Sequence, residues 1–220
     1  MQPAEITRAR ETAGLTRLRA ADLLGVTPGT LTRWENGTQT PNPVSQTAIT
    51  ALFTPYDGTD LTAMTEALRL ARLAAADGET PVGCVIVSDN RIIGRGRNRR
   101  ERNHTALAHA ELEAIHEACQ TLGGWRLWRA TLYVTLEPCP MCAGAIVNAR
   151  IPRVVFGAPD PKAGACGSVF DLFSMRLNHH PDAAGGLLAA ESSELLRGFF
   201  RALREKKAAV NSGICTFLER

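Results

Sequence analysis

The sequence predicts an α/β fold in which a three-layer domain of strands and helices follows a small all-α domain. Two observations support this prediction. From residue 60 onwards, short apolar strand patterns alternate with helical patterns, which is typical of a sheet covered by helices on both faces. Residues 1–56 show helical patterns alone and lead into the turn-rich segment 54–59. We therefore expect a helical domain over 1–56, a main domain over 60–207 and a tail over 208–220.

The composition limits the class of protein. The chain has 220 residues, of which 45% are hydrophobic and 21% charged, which is typical of a soluble globular protein. It contains no apolar run of membrane-spanning length, and its first ten residues lack the apolar core of a signal peptide. We therefore expect a cytoplasmic protein with no membrane contact and with six reduced cysteines. A net charge of +3 does not by itself indicate a nucleic-acid partner.

The helical domain is predicted from start and stop signals. Short helices are expected over 6–13, 16–24 and 28–36, with a tight turn at 25–27 and a stop at Gly37. A fourth helix over 44–53 follows two prolines.

The main domain opens with a helix that we expect Asp60 to cap. Strands are predicted over 82–87 and 91–96, joined by a turn at 88–90, and again over 131–136 and 153–156. A long helix over 191–207 completes the pattern.

The most informative motif is Pro138-Cys139-Pro140-Met141-Cys142, with His109-Ala110-Glu111 upstream. Two thiolates and an imidazole suit zinc, and three ligands leave its fourth tetrahedral position open, as in catalytic sites. The two cysteines are three residues apart and precede an apolar run, so they fit the first turn of a buried helix with both thiols on one face. Pro140 suits an early helical position.

The His109 and Cys139–Cys142 motif also allows other interpretations. His109 and Glu111 are two apart and would point to opposite sides of a regular helix, so both can face a metal only at an irregular helix start. If the two cysteines formed a redox-active Cys-x-x-Cys pair, His109 and Glu111 would have no role in the site. We expect His116 to be an ordinary packed or exposed histidine, whereas His104, His179 and His180 have no metal spacing and could face a substrate from loops. A structural zinc site would need a fourth ligand from Cys84, Cys119, Cys166 or His116.

Eight segments of the chain match one known family: 81–83, 96–99, 108–111, 131–146, 150–157, 160–164, 167–168 and 199–201. From about residue 61 to 207 the chain resembles the cytidine-deaminase-like zinc superfamily and, within it, the bacterial tRNA adenosine deaminases, which implies a three-layer α/β/α domain with a mixed β-sheet. Where that family usually reads Asp-Pro-Thr before Ala-His-Ala-Glu, this chain reads Thr105-Ala106-Leu107, so we expect an altered substrate-pocket wall.

This resemblance implies hydrolytic deamination of adenosine to inosine, at the wobble position of tRNA, by a homodimer. It implies one zinc ion per chain, held by His109, Cys139 and Cys142, and no other cofactor. Glu111 is then the general acid and base. The substrate base would be held by Asn98, Val82 and the backbone N–H of Ala110.

Basic residues crowd the last predicted helix and can track the phosphates of tRNA, with a solvated face as the alternative. Two other function classes stay open: a deaminase of free guanine-type or cytosine-type bases or nucleosides, and a DNA-binding regulator whose deaminase domain senses a nucleotide. The basic residues are Arg197, Arg201, Arg204, Lys206 and Lys207.

Segments 14–16, 21–27 and 30–37 resemble the helix-turn-helix of phage repressors. The recognition helix would be 28–36, with Thr30 and Arg33 available to base edges. Residues 1–53 carry five arginines against four acids, a poor balance for phosphate binding. DNA binding through residues 1–53 and a role in protein interaction or dimerisation both stay open.

Overall fold

The computed structural model describes residues 2–12, 15–43, 45–46, 49 and 58–215. Three helices form the N-terminal region: α1 (Pro3–Thr12), α2 (Arg17–Leu23) and α3 (Pro28–Glu35). The hydroxyl of Thr16 accepts from a backbone N–H in the first turn of α2, and that of Thr27 does the same for α3. The predicted fourth helix over 44–53 lies almost wholly outside the described residues.

An ion cluster ties these three helices together. Glu35 is buried at the end of α3, and its carboxylate accepts hydrogen bonds from Arg10 of α1 and Arg17 of α2. Burial would raise the pKa of Glu35, but the hydrogen bonds and charges of the two guanidinium groups outweigh it and lower that pKa. Two of the arginines of this region are thus engaged within the domain.

The main domain is built on a five-stranded mixed sheet. Its strands are β1 (Gly83–Ser88), β2 (Arg91–Arg97), β3 (Ala130–Leu136), β4 (Arg153–Ala158) and β5 (Asp182–Gly185). Their order in the sheet is β2-β1-β3-β4-β5, with β1 antiparallel to β2 and β3, and with β3, β4 and β5 mutually parallel. The mixed sheet confirms the predicted class.

Helices cover both faces of the sheet, as the three-layer prediction requires. The helices are α4 (Gly58–Ala76), α5 (Arg100–Asn103), α6 (Ala110–Leu122), α7 (Pro140–Ala149) and α8 (Ala189–Cys215), with a 3-10 turn at Leu172–Ser174. Side chains of α6 and α7 pack with Cys84, Ile86 and Leu132 on one face of the sheet. Those of α4 pack with Val85 and Tyr133 on the other face, where α8 lies against β4.

Three local expectations are corrected. Asp60 does not begin the helix, because α4 starts at Gly58; Asp60 is 1% exposed and accepts hydrogen bonds from the Tyr133 hydroxyl at 2.6 Å and from Arg153. The last helix is longer than 191–207, since no proline interrupts the sequence up to Cys215. The strand β5 was not predicted: its Asp-Ala-Ala-Gly sequence has little strand propensity, and pairing with β4 forms it.

Two glycines of β2 allow α6 to lie directly on the sheet. A Cβ atom on Gly94 would stand 2.3 Å from the carbonyl oxygen of Ala114, and one on Gly96 would stand 1.9 Å from that of Ala110. Any side chain at either position would force α6 away from the strand. This close contact fixes where the N-terminus of α6 lies, and that end carries His109 and Glu111.

Candidate active site

The predicted metal ligands converge. The Nδ1 atom of His109 lies 3.4 Å from the Sγ atom of Cys142 and 3.7 Å from that of Cys139. Their ligand atoms all lie within 4.8 Å of one another, and no further His, Cys, Asp or Glu of the described residues joins this group. An imidazole and two thiolates are a donor set that zinc prefers, with one coordination position left for water or substrate. The structural-zinc interpretation therefore lacks its fourth ligand within the described part of the chain.

The helix starts explain how this sequence brings the ligands together. Cys139 and His109 each occupy the extended residue just before α7 and α6, with φ/ψ of −74°/171° and −82°/151°. Pro140 opens α7, as expected, and Cys142 follows within its first turn. Because His109 precedes the helix and Glu111 lies within it, residues two apart can face one site. The irregular start that the sequence analysis required is observed.

Hydrogen bonding within the ligand group shifts the pKa values of its two cysteines in opposite directions. A hydrogen bond with the Cys142 thiol, helped by His109, lowers the pKa of Cys139 to about 4 in spite of burial. The same hydrogen bond, together with burial, raises the pKa of Cys142. These shifts favour the thiolate form of Cys139, and a cation bound here would require Cys142 to lose its proton as well.

Glu111 stands beside the ligand group without belonging to it. Its side chain lies in the first turn of α6 and is 4% exposed. Burial, as the largest cause, raises the pKa of Glu111, and the nearby Cys139 adds to the rise while His109 opposes it. A buried carboxyl with a raised pKa can both accept and return a proton near neutral pH.

A cavity of about 870 Å³ opens above these residues. His109, Glu111 and Cys139 line it, and Cys142 is fully buried. The predicted substrate contacts Val82, Asn98 and Ala110 also line the cavity. The Oδ1 atom of Asn98 accepts the N–H of Arg100 at 3.1 Å, which leaves the amide nitrogen as the end that can donate to a ligand.

The family departure at Thr105-Ala106-Leu107 lies elsewhere. All three residues are exposed, Leu107 by 61%, and none of them lines the cavity. The expectation that this segment alters the pocket wall is therefore wrong within one chain. Residues 105–107 are exposed to solvent, and the chain becomes buried again at Ala108.

Glu137 is a site residue to which the sequence analysis assigned no role. It is 2% exposed, lines the cavity, and accepts hydrogen bonds from the backbone N–H groups of Asp160, Cys166 and Ser168 at 2.9, 2.9 and 3.0 Å and from the Ser168 hydroxyl. Burial would raise its pKa, but these hydrogen bonds lower it. A Cβ atom on Gly164 would stand 2.3 Å from the Cδ atom of Glu137. Glu137 therefore fixes the loop that forms one cavity wall; its adjacency to Pro138-Cys139 was the available signal.

The predicted nucleic-acid contacts fall into two groups. Arg197, Arg201 and Arg204 line the cavity from α8, whereas Lys206 and Lys207 lie two and three residues further along the helix and do not line it. In the N-terminal domain, Arg33 is exposed and donates to the Thr30 hydroxyl and the Gln39 side chain, each at 3.0 Å. The two candidate base-reading side chains thus hold each other on one face of α3.

Comparison with known proteins fits this geometry. The sequence-family model of the MafB19-like deaminases matches residues 59–204 of this chain. The chain belongs to that deaminase family. Its deaminase domain therefore includes the zinc-type ligand group and the cavity, and the predicted deaminase class and cytidine-deaminase-like fold are confirmed. A helix-turn-helix model matches residues 6–51, which confirms the predicted helix-turn-helix region.

Similar proteins carry more specific names. The chain is 49% identical to a tRNA-specific adenosine deaminase of Bacillus subtilis over 152 residues. These residues make up 69% of this chain and 94% of the relative. A solved structure from a study of tRNA:A34 deaminases that edit the wobble position is 48% identical, with a TM-score of 0.60 over 61% of this chain and 99% of that one. A guanine deaminase of Nitrosomonas europaea is 26% identical, with a TM-score of 0.53 over 63% and 83%. Within the described residues, no helix is long and apolar enough to cross a membrane.

Proposed function

We propose that this chain hydrolyses adenosine to inosine at the wobble position of tRNA. The observation that supports it best is the 49% identity to a tRNA-specific adenosine deaminase over 94% of that relative's length. The proposal is also supported by the His109, Cys139 and Cys142 group, which could hold a metal, and by the buried carboxyl of Glu111, which lines the same cavity as His109 and Cys139. That arrangement suits hydrolytic removal of an amino group from a purine ring.

The chemistry divides among few residues. His109, Cys139 and Cys142 would hold one zinc ion, which supplies a Lewis acid that acidifies water to a pKa of about 7. Glu111 takes the proton of the attacking water, delivers it to the ring nitrogen next to the reacting carbon, and then assists the departure of ammonia. Asn98 donates to the base or its ribose, Val82 packs against the ring, and the backbone N–H of Ala110 holds the reacting group.

One alternative has support of its own. A free-guanine deaminase is among the structural neighbours, although its 26% identity is well below the 48% of the tRNA-editing structure. The experiment is to incubate the purified zinc-loaded chain with tRNA, guanine and cytidine and to measure ammonia. We expect release from tRNA alone. Release from guanine alone would replace this proposal with the small-substrate function.

The basic wall of α8 gives a test of RNA binding. Replacing Arg197, Arg201 and Arg204 with glutamine should weaken tRNA binding and lower the slope of log affinity against log salt by roughly two to three units, because up to three phosphate contacts are lost. Replacing Lys206 and Lys207 in the same way, as a control beyond the cavity wall, should cost less. An unchanged tRNA affinity in the folded triple variant would contradict this role.

For the N-terminal region we propose duplex DNA binding through residues 1–53, with α3 in the major groove. The support is the helix-turn-helix match and the exposed Arg33–Thr30 pair on α3. Arg33→Ala should weaken binding to a selected DNA site by about 1–3 kcal/mol and relax its preference at one base pair, as gel-shift titration would show. Arg19→Ala, which removes an arginine paired with Asp22 on α2, is the matched control. Failure to select any DNA sequence at low salt would leave the interaction-module alternative.

The two domains should be separable. Every proposed catalytic group lies beyond α4, and the deaminase match begins at residue 59. Deletion of residues 1–56 should therefore leave zinc content, thermal unfolding of the deaminase domain and the rate of deamination close to those of the full chain. If the shortened chain kept zinc and fold but lost activity, the N-terminal helices would have to act in substrate binding.

We also propose that the deaminase domain works as a homodimer. The resemblance to the bacterial tRNA adenosine deaminases, which implies a homodimer, supports this proposal, and the exposed Leu107, Val169 and Met175 are apolar side chains that an interface would cover. Sedimentation equilibrium of the shortened chain should give twice the monomer mass. A monomer that deaminates tRNA at the full rate would contradict it.

A further inference from the structure

We propose that the loop between α6 and β3 is a second RNA-binding surface, on which unpaired bases stack against Trp125 and Trp128 while Arg126 and Arg129 hold phosphates. We call residues 123–129 the Trp-Arg loop. The proposal rests on the proposed action on tRNA and adds to it a contact remote from the catalytic cavity. The ligand class is unpaired nucleotides of a folded RNA.

The tryptophan rings are unusually open to solvent. Trp125 is 51% exposed and Trp128 is 67% exposed, although tryptophan is on average a highly buried residue. A single exposed apolar side chain needs no explanation. Here two tryptophans lie within four residues, and an arginine directly follows each of them. Exposed aromatic rings beside basic groups are the chemistry that binds single-stranded nucleic acid.

The backbone of the Trp-Arg loop is held in place by its contacts with the rest of the domain. Gly123 ends α6 in the left-handed conformation with φ of 66°, and the N–H of Gly124 donates to the carbonyl of Cys119 at 3.0 Å. Leu127, between the tryptophans, is 1% exposed, and its N–H donates to the carbonyl of Ala149 at 2.7 Å. Anchoring Leu127 inward directs its neighbours outward and reduces the entropy lost when a base stacks on them.

Charge distinguishes an RNA from a protein partner. The guanidinium carbon of Arg126 lies 4.1 Å from the ring centroid of Trp125, so this arginine covers one face of the ring and leaves the other face for a base. Arg129 is 75% exposed, and the carboxylate paired with it, Asp89, is 3.9 Å away and 71% exposed. An ion pair that is this exposed contributes little to stability, so a phosphate can readily replace Asp89 as the partner of Arg129. An apolar protein partner would gain nothing from these two charges.

The Trp-Arg loop lies away from the catalytic cavity. It precedes β3, whereas the ligand Cys139 follows the opposite end of that strand. Seven residues of strand separate the two ends, which corresponds to about 20 Å at 3.3 Å per residue. A single nucleotide cannot reach both sites, but a whole tRNA can. The loop should therefore affect large substrates and not small ones.

The test compares two substrates on the full-length chain. Trp125→Ala with Trp128→Ala should weaken binding of intact tRNA about tenfold or more, as expected for lost base stacking, and should lower kcat/KM for tRNA equally. Deamination of an isolated anticodon stem-loop should stay unchanged. Phenylalanine at both positions should restore most of the tRNA affinity. Arg126→Gln with Arg129→Gln should lower the salt slope by about 0.7 per arginine, the value for single strands.

Controls separate this proposal from its alternatives. Leu122→Ala removes an apolar side chain that is 51% exposed at the end of α6, and Arg69→Gln removes an arginine paired with Glu66; neither should change tRNA affinity. Unchanged tRNA binding in the tryptophan variant would overturn the proposal, as would an equal loss with the stem-loop. A changed sedimentation mass would make the loop a contact between copies instead. A wild-type chain that binds tRNA but forms no inosine would refute the proposed function alone.

Discussion

Glu111→Ala should reduce deamination by at least the roughly 10²–10⁴-fold that a general acid and base contributes, while the protein keeps its zinc. The carboxyl is buried beside the ligand group and lines the cavity, yet it does not belong to that group. Its removal therefore takes away proton transfer and leaves the three ligands intact. Single-turnover rates and metal analysis by mass spectrometry give the two readouts.

The matched control is Glu113→Ala. Glu113 lies in the same first turn of α6, but its carboxylate pairs with Arg99 at 3.3 Å and does not line the cavity. We expect this variant to deaminate at nearly the wild-type rate. Full activity in Glu111→Ala would remove the proposed proton carrier, and loss of zinc from that variant would make Glu111 a ligand.

Cys142→Ala should abolish both metal binding and turnover. Cys142 is fully buried, and its sulfur lies 3.4 Å from the Nδ1 atom of His109, so its loss leaves two ligands, fewer than the three protein ligands of catalytic zinc sites. Zinc should fall from about one ion per chain to near zero. Thermal unfolding should also move to lower temperature, since binding to the native state alone stabilises that state.

Cys119→Ala serves as its control, because Cys119 lies on α6 outside the ligand group. That variant should keep zinc and activity. Retention of a full zinc ion by Cys142→Ala, or its loss from Cys119→Ala, would contradict the ligand set.

The parts of the molecule that the sequence predicted are those specified locally. Pro140 and the spacing of Cys139 and Cys142 encode the start of α7, and apolar β-branched runs encode β1 and β4. Strand β5 could not be found this way, because its small residues become a strand only through pairing with β4. Asp60 looked like a helix cap because the partners that bury it, Tyr133 and Arg153, are distant in sequence.

The site divides along the same line. The candidate ligands and Glu111 were predicted from residue types at short spacing within two motifs. The role of Glu137 instead depends on a loop that begins more than twenty residues later and folds back onto it. The importance of Gly94 and Gly96 likewise appears only once α6 lies across β2. Long-range packing of this kind leaves no periodic signal in a sequence.

The most direct test of the central claim is to locate inosine in tRNA. Unmodified tRNA carrying adenosine at the wobble position is incubated with the zinc-loaded chain and then sequenced by reverse transcription, in which inosine is read as guanosine. We predict conversion at the wobble adenosine with the wild-type chain, no conversion with Glu111→Ala, and no xanthine from added guanine. Xanthine production without any inosine in tRNA would contradict the account.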